Sequence, residues 1–435
     1  MRHPLPAILL LALPAAASAV ELNASVEAGL KYDDNVFNEE DHTNSDLAST
    51  LTPNLSLLQQ FSRGQARLSY SAALEHYYLQ QDIRENAVDV NHFGSFGSSY
   101  ALTPRTAFTL TDRIESTLNH EFNFERDALS QDPDAGGIDE DVQGRTTLNE
   151  LSAELEHQFT RRFSSGLSGN HQLYRSEDPD QLDSQAFGAN WSLDYQVDKD
   201  HVVGLDTGSS IQLFERFLNA NGNGTLSPVD DVGLPRSRTL VAQTQATWTW
   251  RVLPETSLSA SVGPAWIQTR RESCLCARAG GGFFLLEDSK ESRLTVFASA
   301  AVSQRLGENF RGRLGYQRST SAASGSGGSS VRDSVNGSLN WQVGPRLSTS
   351  LLASWVLRQS ATDLDTRPSG SEVDSTRWSA GIRGAYQITR QLSGTARLDY
   401  NIQDNEGSTG NSRNFNNFEA LVGLLYTFDR FVFFD

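Results

Sequence analysis

Residues 416–428 read N-N-F-E-A-L-V-G-L-L-Y-T-F, and their alternation decides the fold. Phe418, Ala420, Val422, Leu424, Tyr426 and Phe428 fall on one face, with Asn417, Glu419, Gly423 and Thr427 on the other. An apolar side chain at every second position is the period of a strand with one apolar face. A strand leaves two edges to be paired, so the rest of the chain is read for its partners.

The same period recurs upstream. Leu22, Ala24, Val26, Ala28, Leu30 and Tyr32 share a face. Phe187, Ala189, Trp191, Leu193 and Tyr195 alternate with Asn190, Ser192, Asp194 and Gln196, and Leu294, Val296, Ala298, Ala300 and Val302 with Arg293, Thr295, Ser299, Ser303 and Arg305. Residues 163–174 are noisier. Short polar breaks fall at residues 62–65, 103–105, 160–162, 198–200, 253–255, 306–309, 344–346 and 389–391, and one longer loop rich in Asp, Asn, Gly and Ser lies between consecutive breaks. Short turns alternating with long loops predict an all-β fold: a single transmembrane antiparallel up-and-down barrel of about 18 strands (16–18), with periplasmic turns and extracellular loops.

A soluble sandwich also alternates. Two features favour the membrane barrel. The second face is polar on every strand, and aromatics gather near strand ends: Tyr32, Phe61, Tyr70, Tyr100, Phe159, Tyr195, Trp248, Trp250, Trp341, Tyr386, Tyr426 and Phe428. Aromatic girdles at two membrane interfaces produce that distribution. After residue 19 no apolar run approaches the roughly 20 residues a spanning helix needs.

Arg2 and His3, the apolar run Ile8-Leu-Leu-Leu-Ala-Leu13 and the small residues Ala17-Ser-Ala19 predict a secretory signal peptide over residues 1–19. The barrel is expected over 20–428 and a short tail over 429–435, which either extends the last strand or stays in the periplasm. Gly423, Tyr426 and Phe428 resemble the C-terminal signal by which the barrel-assembly machinery of Gram-negative bacteria recognises outer-membrane barrels.

Lys and Arg number 36 against 53 Asp and Glu, a net charge of −17, which argues against a nucleic-acid partner. From Glu291 onward 15 Arg face 13 acids, net +2, so the charge is uneven. Only three of the basic residues are lysines, Lys31, Lys199 and Lys290.

At Lys31-Tyr-Asp-Asp-Asn-Val-Phe37, followed by an acidic loop and Leu51-Thr-Pro-Asn-Leu-Ser56, the chain resembles the beta-barrel porin 2 family, whose members are associated with exopolysaccharide biosynthesis. The resemblance implies an outer-membrane channel that exports an exopolysaccharide through a hydrated lumen, supplied by a periplasmic polysaccharide-export protein and surrounded by outer-membrane lipid and lipopolysaccharide. A general or substrate-selective diffusion porin for small solutes is the alternative, and an outer-membrane lipase or protease a further one.

Parity places Arg293, Arg305, Arg311, Arg313, Arg377, Arg383 and Arg397 on the inward face, with Glu154 and Glu156. Two readings stand for these pore-lining candidates. The arginines form a basic strip that lowers the barrier to an anion, or they pair with lumen acids such as Glu154, Glu156, Asp206 and Asp399 and stiffen a hydrated wall. The cluster Asp33, Asp34, Glu39, Glu40 and Asp41 offers hard oxygens to Ca²⁺, but without EF-hand spacing it reads first as a solvated loop, as do residues 132–141. Cys274 and Cys276 lack the further ligands of a metal site and suit a local disulfide in an outer loop. Phe283 to Leu286 beside them suit either a constriction or loop packing. Eight scattered histidines and the absence of G-x-S-x-G assign no catalytic residue, and no metal or cofactor is expected.

Overall fold

In a computed structural model, residues 20–35, 44–79, 88–118, 145–177, 183–215, 237–271, 274–277, 283–286, 289–322, 329–360, 373–407 and 414–433 are described. The first half of the barrel is built by β1 (Val20–Asp33), β2 (Asp46–Phe61), β3 (Gly64–Tyr77), β4 (Val88–Thr103), β5 (Thr106–Leu118), β6 (Arg145–Gln158), β7 (Phe163–Ser176), β8 (Asp183–Gln196) and β9 (His201–Glu215). The second half comprises β10 (Ser237–Leu253), β11 (Thr256–Arg271), β14 (Ser289–Leu306), β15 (Phe310–Ala322), β16 (Ser329–Gln342), β17 (Leu347–Ser360), β18 (Val373–Gln387), β19 (Leu392–Gly407) and β20 (Phe415–Thr427). Between β11 and β14, β12 (Cys274–Ala277) and β13 (Phe283–Leu286) pair only with each other, and β21 (Phe431–Phe433) follows β20.

Each of the 18 strands pairs antiparallel with its chain neighbours, and β20 pairs with β1 to close the ring. Leu30, Leu51, Leu55, Leu167, Val262, Leu294 and Val422 are exposed on the outer face, while the alternate residues Lys31, Thr50, Glu75, Thr239 and Asp399 are buried inside. A closed antiparallel barrel, apolar outside and polar inside, spans the bacterial outer membrane, because every strand edge is paired and no backbone group is left to the lipid. The segment 163–174, noisy in sequence, is an ordinary strand, β7. The noise arises because Gly166 and Tyr174 interrupt its inward polar face.

Eight connections are turns of two to four residues, at the positions expected. Four share one geometry: a backbone N–H at the start of the turn donates to the first carbonyl of the next strand, Phe159 to Phe163, Val197 to His201, Val343 to Leu347 and Ile388 to Leu392. The second residue caps the turn. Thr160 Oγ1 accepts from the amides of Arg162 and Phe163, Asp198 Oδ1 from Asp200 and His201, and Thr389 Oγ1 from Gln391 and Leu392. The Asp200 amide, followed by that of His201, holds the Asp198 carboxyl below its ordinary range. Gly344 occupies the same place and has no side chain to offer.

The closing seam spans nine residue pairs between β1 and β20, Ser25–Thr427 to Asp33–Glu419, where β1 and β2 share fourteen. Its loop end is reinforced by side chains. Asp33 Oδ1 accepts from the Asn35 amide and from Asn417 Nδ2, both at 2.9 Å. Asn417 Nδ2 also donates to the Asn35 carbonyl at 3.1 Å, and Asn35 Nδ2 to the Asn416 carbonyl at 2.9 Å. The Asp34 amide donates to the Phe418 carbonyl at 3.1 Å, and Asp34 Oδ1 accepts from the Phe418 amide at 2.6 Å. Asp33 and Asp34, grouped above with a cation-binding loop, are thus engaged by amides; Glu39, Glu40, Asp41 and residues 132–141 lie outside the described residues. At the turn end the ladder skips two residues and resumes, with Leu22, Glu21 and Val20 opposite Phe431, Val432 and Phe433. Arg430 binds Glu21 at 3.1 Å across that gap. The tail therefore extends the seam.

Replacing Asn417 with Ala strands the Asp33 carboxylate and the Asn35 carbonyl. It should lower the stability of the refolded barrel by about 1–3 kcal/mol, read as the urea midpoint of unfolding from lipid vesicles; an unchanged midpoint would mean the side-chain latch is idle. At Gly344 a Cβ meets nothing within 4 Å and φ is not positive. Gly344→Thr supplies the missing cap and stiffens the unfolded chain, for an expected gain of about 0.5–1 kcal/mol in the same assay.

Candidate functional site: the arginine-lined wall

The inward face is graded from one rim to the other. Toward the loop end many of its side chains are buried: Thr239, Ile267 and Thr269 are each 1–2% exposed, and Phe297, Arg332, Asn401 and Asn417 are buried too, while Arg293 is exposed. Toward the turn end Glu154, Glu156, Arg305, Arg311 and Arg313 are exposed to the lumen.

The seven arginines predicted to line the pore all stand on the inward face. Register carries that face from strand to strand: Ile267 lies opposite Arg293, Ser303 opposite Arg313, Arg305 opposite Arg311, and Arg383 between Ser350 and Arg397. Arg377 lies between Val356 and Gln403. Two further inward arginines, Arg332 and Arg358, face each other across β16 and β17. Their signal was in the sequence, because Arg332 has the parity of Asn336 and Ser338, and Arg358 the parity opposite to Leu351, Ala353 and Trp355. Glu154 and Glu156 stand on β6, away from this wall, so the structure does not gather them with the arginines.

Arg305, Arg311, Arg383 and Arg397 line a cavity of about 600 Å³ toward the turn end, with Glu27 and Asn340. Arg397 Nε donates to Asp399 Oδ2, the pairing proposed for one of these residues. A second cavity of about 450 Å³ lies along β3 to β7 and is lined by Arg67, Arg113, Glu150, Asn170 and Gln172. β5 and β16 stand nine strands apart in the ring of 18, so the two cavities face each other across the lumen. Acids concentrate on the second side, where Glu75, Asp89 and Glu115 are buried beneath the loop-end rim.

One buried ion pair was missed. Lys31 Nζ lies 3.2 Å from Glu75 Oε2 across β1, β2 and β3, and Tyr77 donates its hydroxyl proton to the same oxygen. Both charges are about 5% exposed or less. Parity places each inside but does not pair them, because register between strands is not written in either one.

Gly423, Tyr426 and Phe428 are spread over both faces. Gly423 points inward against Gly29, where a Cβ would sit 3.0 Å from the Ala28 carbonyl oxygen. The Tyr426 and Phe428 rings meet edge to face on the outside, with centroids 4.9 Å apart. Cys274 and Cys276 lie on β12, with Phe283 to Leu286 opposite on β13; their side chains are outside the described residues. Among the described residues no group of three or more His, Cys, Asp or Glu is gathered for a metal ion, and no helix is long and apolar enough to cross a membrane.

No family model and no curated protein matches the chain. Among solved structures it is similar to the ferric-catecholate import receptor Fiu from E. coli K12 in its open form, at 10% identity and a TM-score of 0.46, over 95% of this chain and 82% of that one. It is also similar to the FrpB iron transporter from Neisseria meningitidis, at 8% and 0.45 over 94% and 82%, and to the siderophore receptor PiuA from Acinetobacter baumannii, at 10% and 0.43 over 94% and 82%. They are named as an import receptor, an iron transporter and a siderophore receptor. None of them is named for the exopolysaccharide exit or the diffusion porin expected above, and neither expectation is carried further.

Lys31→Met leaves the Glu75 carboxylate buried without its ammonium and should cost about 3–5 kcal/mol of barrel stability. Adding Glu75→Gln, which needs no counter-charge and still accepts from Tyr77, should restore more than half of that. Equal urea midpoints for the single and the double variant would show that the pair is not coupled.

Proposed function

We propose that the chain is a ligand-specific uptake protein of the outer membrane, closed at rest, for a small solute carrying two or more acidic groups. The observation that supports this reading is the wall of inward arginines on β14 to β19, which runs from the screened loop-end rim to an open cavity at the turn end. A guanidinium stays charged when partly desolvated and offers a planar fork of donors that matches carboxylate or phosphate. Successive forks on neighbouring strands give an anion several sites of similar strength, so that it can be held and then passed on. The cavity of about 600 Å³ falls within the usual range for small-molecule sites.

In this reading the short turns face the periplasm and the longer connections face outward. The screened rim then stands between the medium and the arginine wall, which makes passage selective. Outer-membrane lipid and lipopolysaccharide surround the apolar belt, and the assembly machinery inserts the barrel by its last strand. No chemical step is involved.

Citrate should bind the detergent-solubilised barrel in a calorimetric titration, and glucose should not. Arg305→Gln/Arg311→Gln, both exposed at the turn end and tolerant of substitution, should weaken citrate at least tenfold, about 1.4 kcal/mol. Steady conductance of the wild type in a planar bilayer should be low. A large resting conductance would overturn closure, and unaltered citrate affinity in the variant would overturn the role of the arginine wall.

A further inference from the structure

On β18 and β19 the inward arginines are interrupted by a band of smaller polar side chains. Arg383 stands opposite Arg397, then Gly381 opposite Asp399, then Ser379 opposite Asn401, and then Arg377 opposite Gln403. Register carries the Ser379 row through Ser354 to Asn336 on β16. Successive inward positions on a strand are about 6.6 Å apart, at about 3.3 Å per residue. Directly opposed side chains are about 5 Å apart. Ser379, Asp399 and Asn401 therefore stand within reach of one small molecule.

The three side chains are 5%, 2% and 3% exposed. Each ends in a buried oxygen without a hydrogen-bond partner: Ser379 Oγ, Asp399 Oδ1 and Asn401 Oδ1. Asn336 Oδ1, further along the row, is a fourth. The other oxygen of Asp399 accepts from Arg397 Nε, so the carboxylate is anchored with one acceptor left over. A buried polar atom without a partner is costly, and folded proteins keep few of them. Four on neighbouring strands of one inner wall mark a surface suited to donors from outside the chain.

The surroundings select the donor. Oxygens ask for an O–H or N–H group or a cation. Guanidiniums on both sides of the band, those of Arg377 and of Arg383 and Arg397, repel a metal ion or an ammonium. A neutral hydroxyl meets no such repulsion and satisfies one acceptor for each proton it donates. Arg383 and Arg397 also line the cavity of about 600 Å³. A carboxylate held there has the acceptor band beside it, along the same strand faces.

We infer that the anion taken up is a polyhydroxylated acid of the sugar-acid class, with a carboxylate on Arg383 and Arg397 and its hydroxyls donating to Asp399, Asn401 and Ser379. This inference rests on the uptake reading above and names the ligand class for the same wall. The oxygens are screened at rest, so the ligand reaches them by local rearrangement of the side chains around them.

The test is calorimetric titration of the detergent-solubilised barrel with D-glucarate, a linear dicarboxylate bearing a hydroxyl on every inner carbon, and with adipate, the same chain without hydroxyls. Glucarate should bind about tenfold more tightly or better. Ser379→Ala/Asn401→Leu should bring glucarate to within about twofold of adipate and leave adipate unchanged. Because it removes unpartnered oxygens and no arginine, its urea midpoint should hold or rise. Ser379→Thr, which keeps the hydroxyl, should keep the preference. Equal affinities in the wild type would overturn the inference and leave the oxygens to water, and an undiminished preference in the double variant would overturn the role of the band. Tighter binding of 2-aminoadipate than of glucarate would overturn the hydroxyl in favour of an ammonium. If citrate binds while glucarate gains nothing over adipate, the hydroxyl band alone falls; if none of these anions binds, the uptake reading falls with it. Should the double variant not refold, Ser379→Ala alone supplies the comparison.

Discussion

Everything in this molecule depends on one pairing, that of its first strand with its last. In hydrocarbon there is no water to satisfy an open sheet edge, and each unpaired backbone group costs several kcal/mol. The ring has to close, yet the direct β1–β20 ladder is among its shorter ones. The shortfall is made good at both rims. At the turn end β21 adds three more paired positions. At the loop end Asp33, Asp34, Asn35 and Asn417 supply from side chains the hydrogen bonds that a longer ladder would have supplied from the backbone. Short carboxylate and amide side chains suit that work because they reach backbone groups one strand away at little entropic cost.

Closure also creates the lumen, and with it a problem that soluble sheets do not have. Half of all strand residues point into a space lined mostly by other polar residues, and many of those toward the loop end are buried. Each buried polar group there needs a partner. Thr239 and Thr269 share a hydrogen bond across β10 and β11, Thr117 and Thr146 do so across β5 and β6, and Lys31, Glu75 and Tyr77 form a small buried network. Cross-strand pairs are therefore the unit of stability on the inner wall, where outside it is contact with lipid.

Much of the architecture was legible in the sequence, because the strand period is two and does not depend on tertiary context. Strand faces, the positions of the eight short turns and the inward placement of seven arginines all follow from alternation and turn chemistry. What alternation cannot supply is register. It placed Lys31 and Glu75 inside without revealing that they meet. It also misjudged Asp33 and Asp34. Two acids before a loop look solvated until the closing strand brings amides to them, and that strand lies about 380 residues away in sequence.

The preference for arginine, 33 residues against three lysines, fits the demands made on a cation here. A wall that is partly screened from water favours a group that keeps its charge when desolvated, and an ammonium gives up its proton far more readily under burial. The three lysines sit where that weakness does not matter. Lys31 is buried, but Glu75 lies within 3.2 Å of it. Lys199 is in an exposed turn beside Asp200. Lys290 stands at the outer rim, exposed, next to the guanidinium of Arg270 across the strand pair. Everywhere else on the late strands the sequence uses arginine. An inner wall built to keep positive charge at fixed positions in a half-dry space is better suited to recognising an anion than to letting a hydrated polymer slide past.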